Sequence, residues 1–349
     1  MSKNLIHSKH RLLKLNGRTI SCPILWLGHD QKHPFKVWKY LDGCQCVMPS
    51  AHQFFERPEF FRLAATQGIH AAMEHTGHVF LDSGGYQFQR KEAVQITAED
   101  VLNLYEKVSP DIGAVLDVPL NPLDTPARNW RRWQKTLEHT AYMYQNNDSC
   151  TLVPVIHTYN ISAVHRRYEQ LHNIFPNPLI VAIGSLVPFM RGSYIGKRFT
   201  RSDSTLSVTC QRWQFIVRLV LKVRDLFKNA TLHVFGAGSL STIYILFLLG
   251  VDSFDSGSWR MKAAYGSIIL PGSPERYPSS AVDRVRIRRQ LSKHDQALLE
   301  LCECPVCAGQ KMERLIRICP HRSKVEPSTT LTFCCQRYKG YMRQLIRVL

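Results

Sequence analysis

Short apolar runs alternate with longer stretches of helical periodicity along most of the chain. Several runs are apolar on both faces, which predicts strands that are buried on both sides. These strands are predicted at 24–27, 78–81, 112–116, 151–156, 179–183, 231–235 and 251–254. Apolar residues three or four positions apart predict helices between them. The helices are predicted at 58–74, 98–108, 126–145, 162–174, 206–227 and 240–249.

The repeated order of strand and then helix predicts a parallel α/β fold, in which the crossover helices cover the sheet. About seven such units favour a closed TIM (β/α)8 barrel over an open sheet, because that fold takes about 250 residues. We therefore predict a barrel domain over residues 1–290 and a smaller C-terminal domain over residues 291–349.

Polar residues and glycines stand where the predicted strands end. Six strand ends carry them: Asp82 with Ser83 and Gly84, Asp117, His157, Gly184 with Ser185, Gly236, and Asp255. Because all strands of such a barrel open their carboxyl ends on one face, we expect these groups to meet in one pocket. Each residue alone is more often a helix cap or a turn residue. The ordered series of six indicates a functional site.

Two of the carboxylates precede small residues that let a ligand approach closely. Asp82 is followed by Ser-Gly-Gly and Asp255 by Ser-Gly-Ser, and glycine has no Cβ that would block the approach. Such a pair suits glycosidic chemistry, in which one carboxylate attacks the anomeric carbon and the other moves protons. If a base takes the sugar instead of water, the reaction is a transglycosylation.

A heterocyclic base would also need a flat surface and hydrogen-bonding groups. The candidates are Tyr86 for the aromatic face, Asp117 for the ring N–H groups, and Gly184 with Ser185 for backbone amides. Alone, Tyr86 is more often a packed aromatic residue than a stacking surface. We expect His233 to be a surface or capping residue.

The charge balance indicates a polyanionic partner. The chain has 45 Lys and Arg against 27 Asp and Glu, hence a formal net charge of +18. This excess favours a nucleic acid partner, with a merely basic surface as the alternative. The hydrophobic fraction of 44% excludes a disordered or fibrous chain.

Cysteine usage and hydropathy predict a cytoplasmic protein. The chain has 11 cysteines, and an odd number without a secretory signal favours reduced thiols inside the cell. The longest apolar run, 243–251, is about half as long as a membrane span of ~20 residues. We therefore expect no membrane segment.

Three cysteines near the C-terminus have the spacing of a zinc site. Cys302, Cys304 and Cys307 lie within six residues, and a tetrahedral ion can bind such a group. His321 is the best candidate for the fourth ligand. The competitors are the other downstream cysteines, Cys319, Cys334 and Cys335. Four protein ligands leave no open position, so we expect a structural Zn2+ in a basic C-terminal subdomain.

Three motifs resemble those of a known family. The segments LDSGGYQ at 81–87, GVDSFDS at 250–256 and CECPVC at 302–307 resemble the guanine transglycosylases, which insert 7-deazaguanine bases into nucleic acid. The motifs occur in the order that the family has. The resemblance implies a TIM barrel with a zinc-binding appendage, in agreement with the strand pattern.

The resemblance also implies roles for individual residues. Asp255 matches the nucleophile that attacks C1′ and expels guanine, and Asp82 matches the acid that assists proton transfer and base binding. Tyr86 matches the stacking aromatic residue, and Asp117 matches the aspartate that binds the guanine edge. The other predicted base contacts are Ser83, Gly84, His157, Gly184, Ser185 and Gly236. The implied zinc ligands are Cys302, Cys304, Cys307 and His321.

Departures from the RNA-acting pattern favour the branch of the family that acts on DNA. His157 stands where RNA-acting members usually have glutamine, and His321 follows the cysteines at a shorter spacing. The chain also ends soon after the predicted zinc region. Members of the DNA-acting branch exchange guanine for 7-cyano-7-deazaguanine (preQ0), so DNA and this base are the expected partners.

Three alternatives stay open. The first is queuosine-type modification of tRNA. The second is a non-catalytic nucleic-acid-binding subunit that accompanies an active paralogue, although both catalytic acids are retained here. The third is a zinc-ribbon module attached to an unrelated metabolic barrel. Helper proteins of a DNA-modification system and a second copy of the chain in a homodimer are further candidate partners.

Overall fold

The computed structural model of the protein describes residues 11–31, 36–39, 44–90, 96–191, 208–238, 240–258 and 292–300. The chain divides into two compact units. The first comprises Met1–Gln31 and Cys46–Ser256, and the second comprises Lys32–Gln45 and Gly257–Leu349. All predicted site residues except the zinc ligands belong to the first unit. The predicted domain boundary at residue 290 stays a prediction.

A β-hairpin begins the described part of the chain. Strands β1 (Leu12–Leu15) and β2 (Arg18–Ser21) pair antiparallel. The turn residues Asn16 and Gly17 both have positive φ, at 48° and 74°. Asn-Gly is the preferred pair for a two-residue turn of this kind, because both residues tolerate the left-handed conformation.

The hairpin covers the amino-terminal end of a barrel. Leu13 and Leu15 are buried among the residues that fill the barrel interior. The side-chain amide of Asn16 donates to Asp111, the residue before the strand that begins at Ile112. The carboxyl ends of the barrel strands therefore lie at the end opposite the hairpin.

The barrel itself is a parallel sheet. Its strands, within the described residues, are β3 Ile24–Gly28, β4 Cys46–Met48, β5 His78–Leu81, β6 Ile112–Ala114, β7 Thr151–Val153, β8 Val155–Ile156, β9 Ile180–Ile183, β10 Thr231–Val234 and β11 Ser253–Ser256. They lie in the order β7-β6-β5-β4-β3-β11-β10-β9-β8. All of the pairings between them are parallel.

The run 151–156 closes the barrel. β7 pairs with β6 and β8 pairs with β9, and only Pro154 separates β7 from β8. Proline has no N–H to donate, but the Pro154 carbonyl still accepts a hydrogen bond from Ala182 at 2.9 Å. If this run is counted once, the described residues form the eight parallel strands of a TIM-like barrel.

Helices lie between the strands. Within the described residues of the first unit they are α1 His52–Glu56, α2 Pro58–Gln67, α3 Ile69–Met73, α4 Gly85–Arg90, α5 Ala98–Val108, α6 Pro126–Asn146, α7 Val164–Ile174, α8 Val187–Arg191, α9 Val208–Leu226 and α10 Leu240–Leu248. The long helix α6 begins with Thr125, whose hydroxyl accepts from the Arg128 N–H, and with Pro126 in its first turn. Both residue types favour this position.

Alternate residues of each strand enter two separate cores. In β9, Ile180 and Ala182 point into the barrel, whereas Val181 and Ile183 pack against the helices outside it. The same alternation places Phe254 of β11 outside and its neighbours Ser253 and Asp255 inside. This explains why the strands are apolar on both faces, except where the interior is a functional site.

The predicted strands and helices are largely confirmed. The strand at 78–81 and the helix at 98–108 match β5 and α5 in their bounds, and the others differ by a few residues at their ends. The region 58–74 forms two helices, because Gly68 adopts a φ of 79° between them. The hairpin strands and β4 were not predicted from the sequence.

The second unit is described over short segments. They include α11 (Lys293–Glu300), where Asp295 accepts from the Ser292 N–H at 2.8 Å and the Ser292 hydroxyl accepts from the Asp295 N–H at 3.1 Å. The four predicted zinc ligands lie outside the described residues. In the parts of the chain that the structure describes, no helix is long and apolar enough to cross a membrane.

Candidate active site

Three carboxylates meet at the carboxyl-terminal end of the barrel. Asp82 directly follows β5, Asp117 follows β6 by three residues, and Asp255 lies within β11. The charges of Asp117 and Asp255 both act on Asp82 and raise its pKa. The structure thus brings together the acids that the sequence analysis assigned to one pocket.

Backbone hydrogen bonds fix the position of Asp82. Its N–H donates to the Pro49 carbonyl at 3.0 Å, and its carbonyl accepts from the Ala51 N–H at 2.7 Å. These bonds extend the parallel pairing beyond β4 and β5 through a bridge between Ser50 and Asp82. The carboxyl group is therefore carried by the sheet rather than by a loose loop.

The pKa of Asp82 is raised from its ordinary value of 3.8 to about 7. Burial is the largest cause, followed by the negative charges of Asp117 and Asp255. The Ser50 hydroxyl and the Gly84 N–H, which donates to Oδ2 at 3.2 Å, favour the charged form but do not offset these effects. A carboxyl group that titrates near neutral pH is suited to general acid–base catalysis.

The glycines after Asp82 are required by close contacts. Gly84 has a φ of 80°, and a Cβ there would lie 2.9 Å from the Cβ of His52. At Gly85, a Cβ would lie 2.3 Å from the Asp117 carbonyl oxygen and 2.6 Å from its Oδ1. The missing side chain of Gly84 therefore lets the DSGG segment pack against His52, and that of Gly85 lets it approach Asp117.

A buried histidine stands behind Asp117. His157 Nε2 lies 3.0 Å from Asp117 Oδ2, and its Nδ1 lies 2.8 Å from the Ser185 hydroxyl oxygen. The His157 side chain has no exposed surface. Ser185 adopts a φ of 63°, which is uncommon for a residue other than glycine. His157 thus contacts Asp117 and Ser185 rather than the open pocket.

Gly184 and Ser83 also support Asp117. A Cβ at Gly184 would lie 2.3 Å from Cε1 of His157, so glycine is needed to seat the imidazole ring. Ser83 is fully buried, and its hydroxyl donates to Asp117 Oδ1 at 3.4 Å. The contacts observed for these residues are within the protein, and their roles as base contacts stay predictions.

Asp255 is held from β10 and from the turn that follows it. The Gly236 N–H donates to Asp255 Oδ1 at 2.6 Å, and His233 Nε2 lies 3.5 Å from the same oxygen. Gly236 has a φ of 68°, and a Cβ there would lie 2.3 Å from a Val187 methyl group. The Asp255 side chain keeps 17% of its surface exposed, so a ligand can reach it.

His233 is a site residue that the sequence analysis missed. We expected a surface or capping residue, but its side chain is completely buried and faces Asp255. Its Nδ1 lies 2.9 Å from the Ser253 hydroxyl oxygen, which also accepts from Trp26 Nε1 at 2.9 Å. A signal was present, because a polar residue at the inward position of an otherwise apolar strand is rarely accidental.

Tyr86 lies at the start of α4, directly after the DSGG segment. It is 58% exposed, so it is not the packed aromatic residue that we considered as an alternative. More than half of the residue surface is thus open to solvent. Its assignment as the stacking residue stays a prediction.

Within the described residues, no group of three or more His, Cys, Asp or Glu side chains is arranged to hold a metal ion. The zinc ligands predicted at Cys302, Cys304, Cys307 and His321 lie outside those residues. The zinc site therefore stays a prediction.

Comparisons with known proteins agree with this geometry. The family profile described as queuine tRNA-ribosyltransferase (TGT) matches residues 12–317. Similar proteins include the tRNA-guanine(15) transglycosylases of Thermococcus kodakarensis, 23% identical over 314 residues, and Nanoarchaeum equitans, 26% identical over 264 residues. These alignments cover 87% and 74% of this chain, and 46% and 58% of the respective relatives.

The chain spans about half the length of the curated relatives that it matches. The match to the family profile nevertheless extends from the hairpin through the whole described barrel. It includes the three carboxylates and the glycines around them. The resemblance to guanine transglycosylases is confirmed: the chain belongs to the TGT family, the queuine tRNA-ribosyltransferases.

Proposed function

We propose that the chain is a pentosyltransferase that exchanges guanine in a nucleic acid for a 7-deazaguanine base. The observation that carries this proposal is the placement of Asp255 beside Asp82 at the open end of the barrel. Asp255 is a reachable carboxylate held by a backbone N–H, and Asp82 is a carboxyl group with a pKa of about 7. The net charge of +18 suits a polyanionic substrate.

Asp255 is the nucleophile in this proposal. One carboxylate oxygen attacks C1′ of the guanosine, the O–C1′ bond forms, and the C1′–N9 bond breaks. The Gly236 N–H occupies Oδ1 at 2.6 Å and so orients the other oxygen for the attack. The sugar is then held as an ester until the incoming base displaces Asp255.

Asp82 carries the proton. It protonates the guanine that leaves and takes a proton from the deazaguanine that enters, so one cycle consumes no proton. A group with a pKa of about 7 does both efficiently at neutral pH. Asp117 accepts hydrogen bonds from the guanine edge, and Tyr86 stacks on the base.

For the polymer we propose DNA, with preQ0 as the incoming base. The support is His157, which stands where RNA-acting members usually have glutamine. Its imidazole has no amide group, and the buried ring contacts Asp117 and Ser185, so it does not supply the base contact that a glutamine side chain could make.

tRNA is the second candidate substrate. It is favoured by the similar archaeal proteins, which are named tRNA-guanine(15) transglycosylases. The nucleotide must leave its stack in either polymer, at a cost of a few kcal/mol.

Zinc belongs to the same proposal. Cys302, Cys304, Cys307 and His321 would bind a structural Zn2+, since three thiolates and an imidazole are a common donor set for it. Helper proteins and a second copy of the chain remain proposed partners.

A base-exchange assay tests the function. Duplex DNA and tRNA that contain radiolabelled guanine are incubated separately with the protein and preQ0, and the released guanine is measured. We expect release from DNA, matched by incorporation of one deazaguanine per guanine lost. Asp255→Asn should reduce release by a factor on the order of 10⁴.

The matched control is Asp225→Asn, because Asp225 is an exposed residue of α9. This variant should release guanine at the wild-type rate. If guanine is released from tRNA but not from DNA, then tRNA is the substrate instead of DNA. If Asp255→Asn releases guanine as fast as the control, the proposed mechanism is wrong.

A further inference from the structure

Two of the three site carboxylates are backed by the same arrangement of buried side chains. His233 stands between Ser253 and Asp255, with its Nδ1 2.9 Å from the serine oxygen and its Nε2 3.5 Å from the carboxylate. The second arrangement consists of Ser185, His157 and Asp117, at 2.8 and 3.0 Å. Both imidazole rings have no exposed surface.

The serine determines where the proton of His233 lies. Trp26 Nε1 can donate a hydrogen bond but cannot accept one, and it donates to the Ser253 oxygen at 2.9 Å. The Ser253 hydroxyl hydrogen has no other acceptor among the described residues than His233 Nδ1, at 2.9 Å. Nδ1 is then the acceptor, and the proton of the neutral ring lies on Nε2, facing Asp255.

The same reasoning applies at His157. The Leu120 N–H donates to the Ser185 oxygen at 2.8 Å, which leaves the hydroxyl hydrogen for His157 Nδ1 at 2.8 Å. The proton of this ring also lies on Nε2, where it faces Asp117. The Trp26 side chain at one serine and the Leu120 N–H at the other thus lead to the same tautomer of the two histidines.

Both Nε2 atoms are buried and form no hydrogen bond with the described residues, although each lies close to a carboxylate oxygen. A buried N–H without an acceptor is unfavourable, and the nearest acceptor for each is the carboxylate oxygen. Such hydrogen bonds are often long without substrate and shorten in the reacting complex. By contrast, no basic side chain of the described residues forms an ion pair with Asp82, which receives a single N–H from Gly84.

We propose that His233 is a positioning residue whose Nε2–H, oriented by Ser253, holds the Asp255 carboxylate and aims it at C1′. This inference rests on the proposed function for its catalytic meaning. His157 acts on Asp117 in the same way. The proton that moves in the exchange is thereby assigned to Asp82, with which no histidine of the described residues forms an ion pair.

The groups around Asp255 determine the direction in which loss of the His233 N–H shifts the pH dependence of base exchange. His233 approaches it from β10, the Gly236 N–H from the following turn, and the neighbouring strand β3 contributes Trp26, which does not titrate. Asp82 and Asp117 are the acidic groups of the same pocket. Loss of the Nε2–H leaves these negative charges less opposed, so the acidic limb of base exchange should move to higher pH.

The first experiment does not depend on activity. Protein labelled with 15N at histidine is examined by long-range 1H–15N NMR, and His233 is assigned by its loss in His233→Gln. We expect the neutral Nε2–H tautomer, and we expect Ser253→Ala to raise the Nδ1–H fraction. A wild-type His233 with its proton on Nδ1 would overturn the proposal.

The second experiment measures base exchange as a function of pH. His233→Phe removes the N–H, and we expect kcat to fall by about tenfold or more with little change in KM. The acidic limb of kcat/KM should move up by about one pH unit. His233→Gln keeps an N–H near the Nε2 position, so its acidic limb should stay near that of the wild type.

The two experiments separate this inference from the proposed function. If the wild type exchanges no base on DNA or tRNA, the proposed function fails, and 13C NMR titration of the Asp255 carboxyl group in wild type and His233→Gln still tests the contact. Equal acidic limbs in His233→Phe and wild type would overturn the proposal. If His233→Phe does not fold, Ser253→Ala replaces it and should show a smaller shift in the same direction.

Discussion

Replacing Asp82 by asparagine should stabilise the folded protein, and the gain should grow as the pH rises. In the folded protein the pKa of Asp82 is raised from 3.8 to about 7, by burial first and then by the charges of Asp117 and Asp255. The unfolded chain loses this proton near its ordinary pKa. Between the two values the folded state binds more protons, so the free energy of unfolding falls as the pH rises.

The magnitude follows from the two pKa values of Asp82. They differ by about 3, and one pKa unit corresponds to about 1.4 kcal/mol, so the full penalty above pH 7 is about 4 kcal/mol. At pH 5 the penalty is only about 1.5 kcal/mol, because this pH lies little more than one unit above the pKa of Asp82 in the unfolded chain. The advantage of Asp82→Asn over the wild type should therefore increase by about 2.5 kcal/mol between pH 5 and pH 8.

Urea unfolding followed by circular dichroism at several pH values measures this difference. Asp225→Asn is the matched control, since Asp225 is 74% exposed and should show no comparable trend. A stability difference between Asp82→Asn and wild type that is equal at pH 5 and pH 8 would refute the assigned protonation state. The variant should also lose base exchange, because stability and catalysis make opposite demands on this group.

Two further substitutions test the contacts around the barrel. Gly85→Ala would place a Cβ 2.3 Å from the Asp117 carbonyl oxygen, so we expect a loss of about 1–3 kcal/mol in stability and of most base exchange. Gly257→Ala is its control for stability, because a Cβ there would meet no atom within 4 Å; an equal loss of stability in the two variants would contradict the packing argument. Burial raises the pKa of Asp111, but hydrogen bonds from His70 and the Val79 N–H lower it to about 2 overall. The resulting stability is present above pH 3.8 and lost as the pH falls through about 2, so Asp111→Asn should cost about 2 kcal/mol at pH 7 and flatten the acid side of the stability curve. An unchanged acid limb in urea unfolding would contradict this.

The three carboxylates illustrate how neighbours assign roles to identical groups. All three lie at one end of the barrel, yet their contacts differ: a histidine faces Asp117 and another faces Asp255, whereas Asp82 is buried without either. Burial and like charges favour the neutral form of Asp82. In the proposed function, one end of the barrel thus holds a nucleophile, a base-binding group and a proton carrier.

Much of the fold could be predicted from local patterns. Strands such as β5 and helices such as α5 were predicted with their observed bounds, because their periodicity is complete within a few residues. The strand β4, Cys46–Met48, was not predicted. Its existence depends on pairing with β3 and β5, which are distant in sequence.

The candidate site was predicted as a set of residues but not as a set of contacts. Strand ends indicated Asp82, Asp117 and Asp255, because polar groups after buried strands stand out. His233 was assigned to the surface, since nothing adjacent to it in sequence shows that Ser253 and Asp255 flank it. These partners lie on the next strand, about 20 residues away.

The sequence by itself determined the order of strands and helices, the excess of positive charge and the motifs of the family. These features are local or additive, and hydrophobic periodicity and composition are sufficient to reveal them. Only the tertiary structure decided that the run 151–156 closes the barrel and that buried histidines lie beside Asp117 and Asp255. It also decided that the pKa of Asp82 rises to about 7. Burial and electrostatic interactions depend on distances through space, and these distances exist only once the chain has folded.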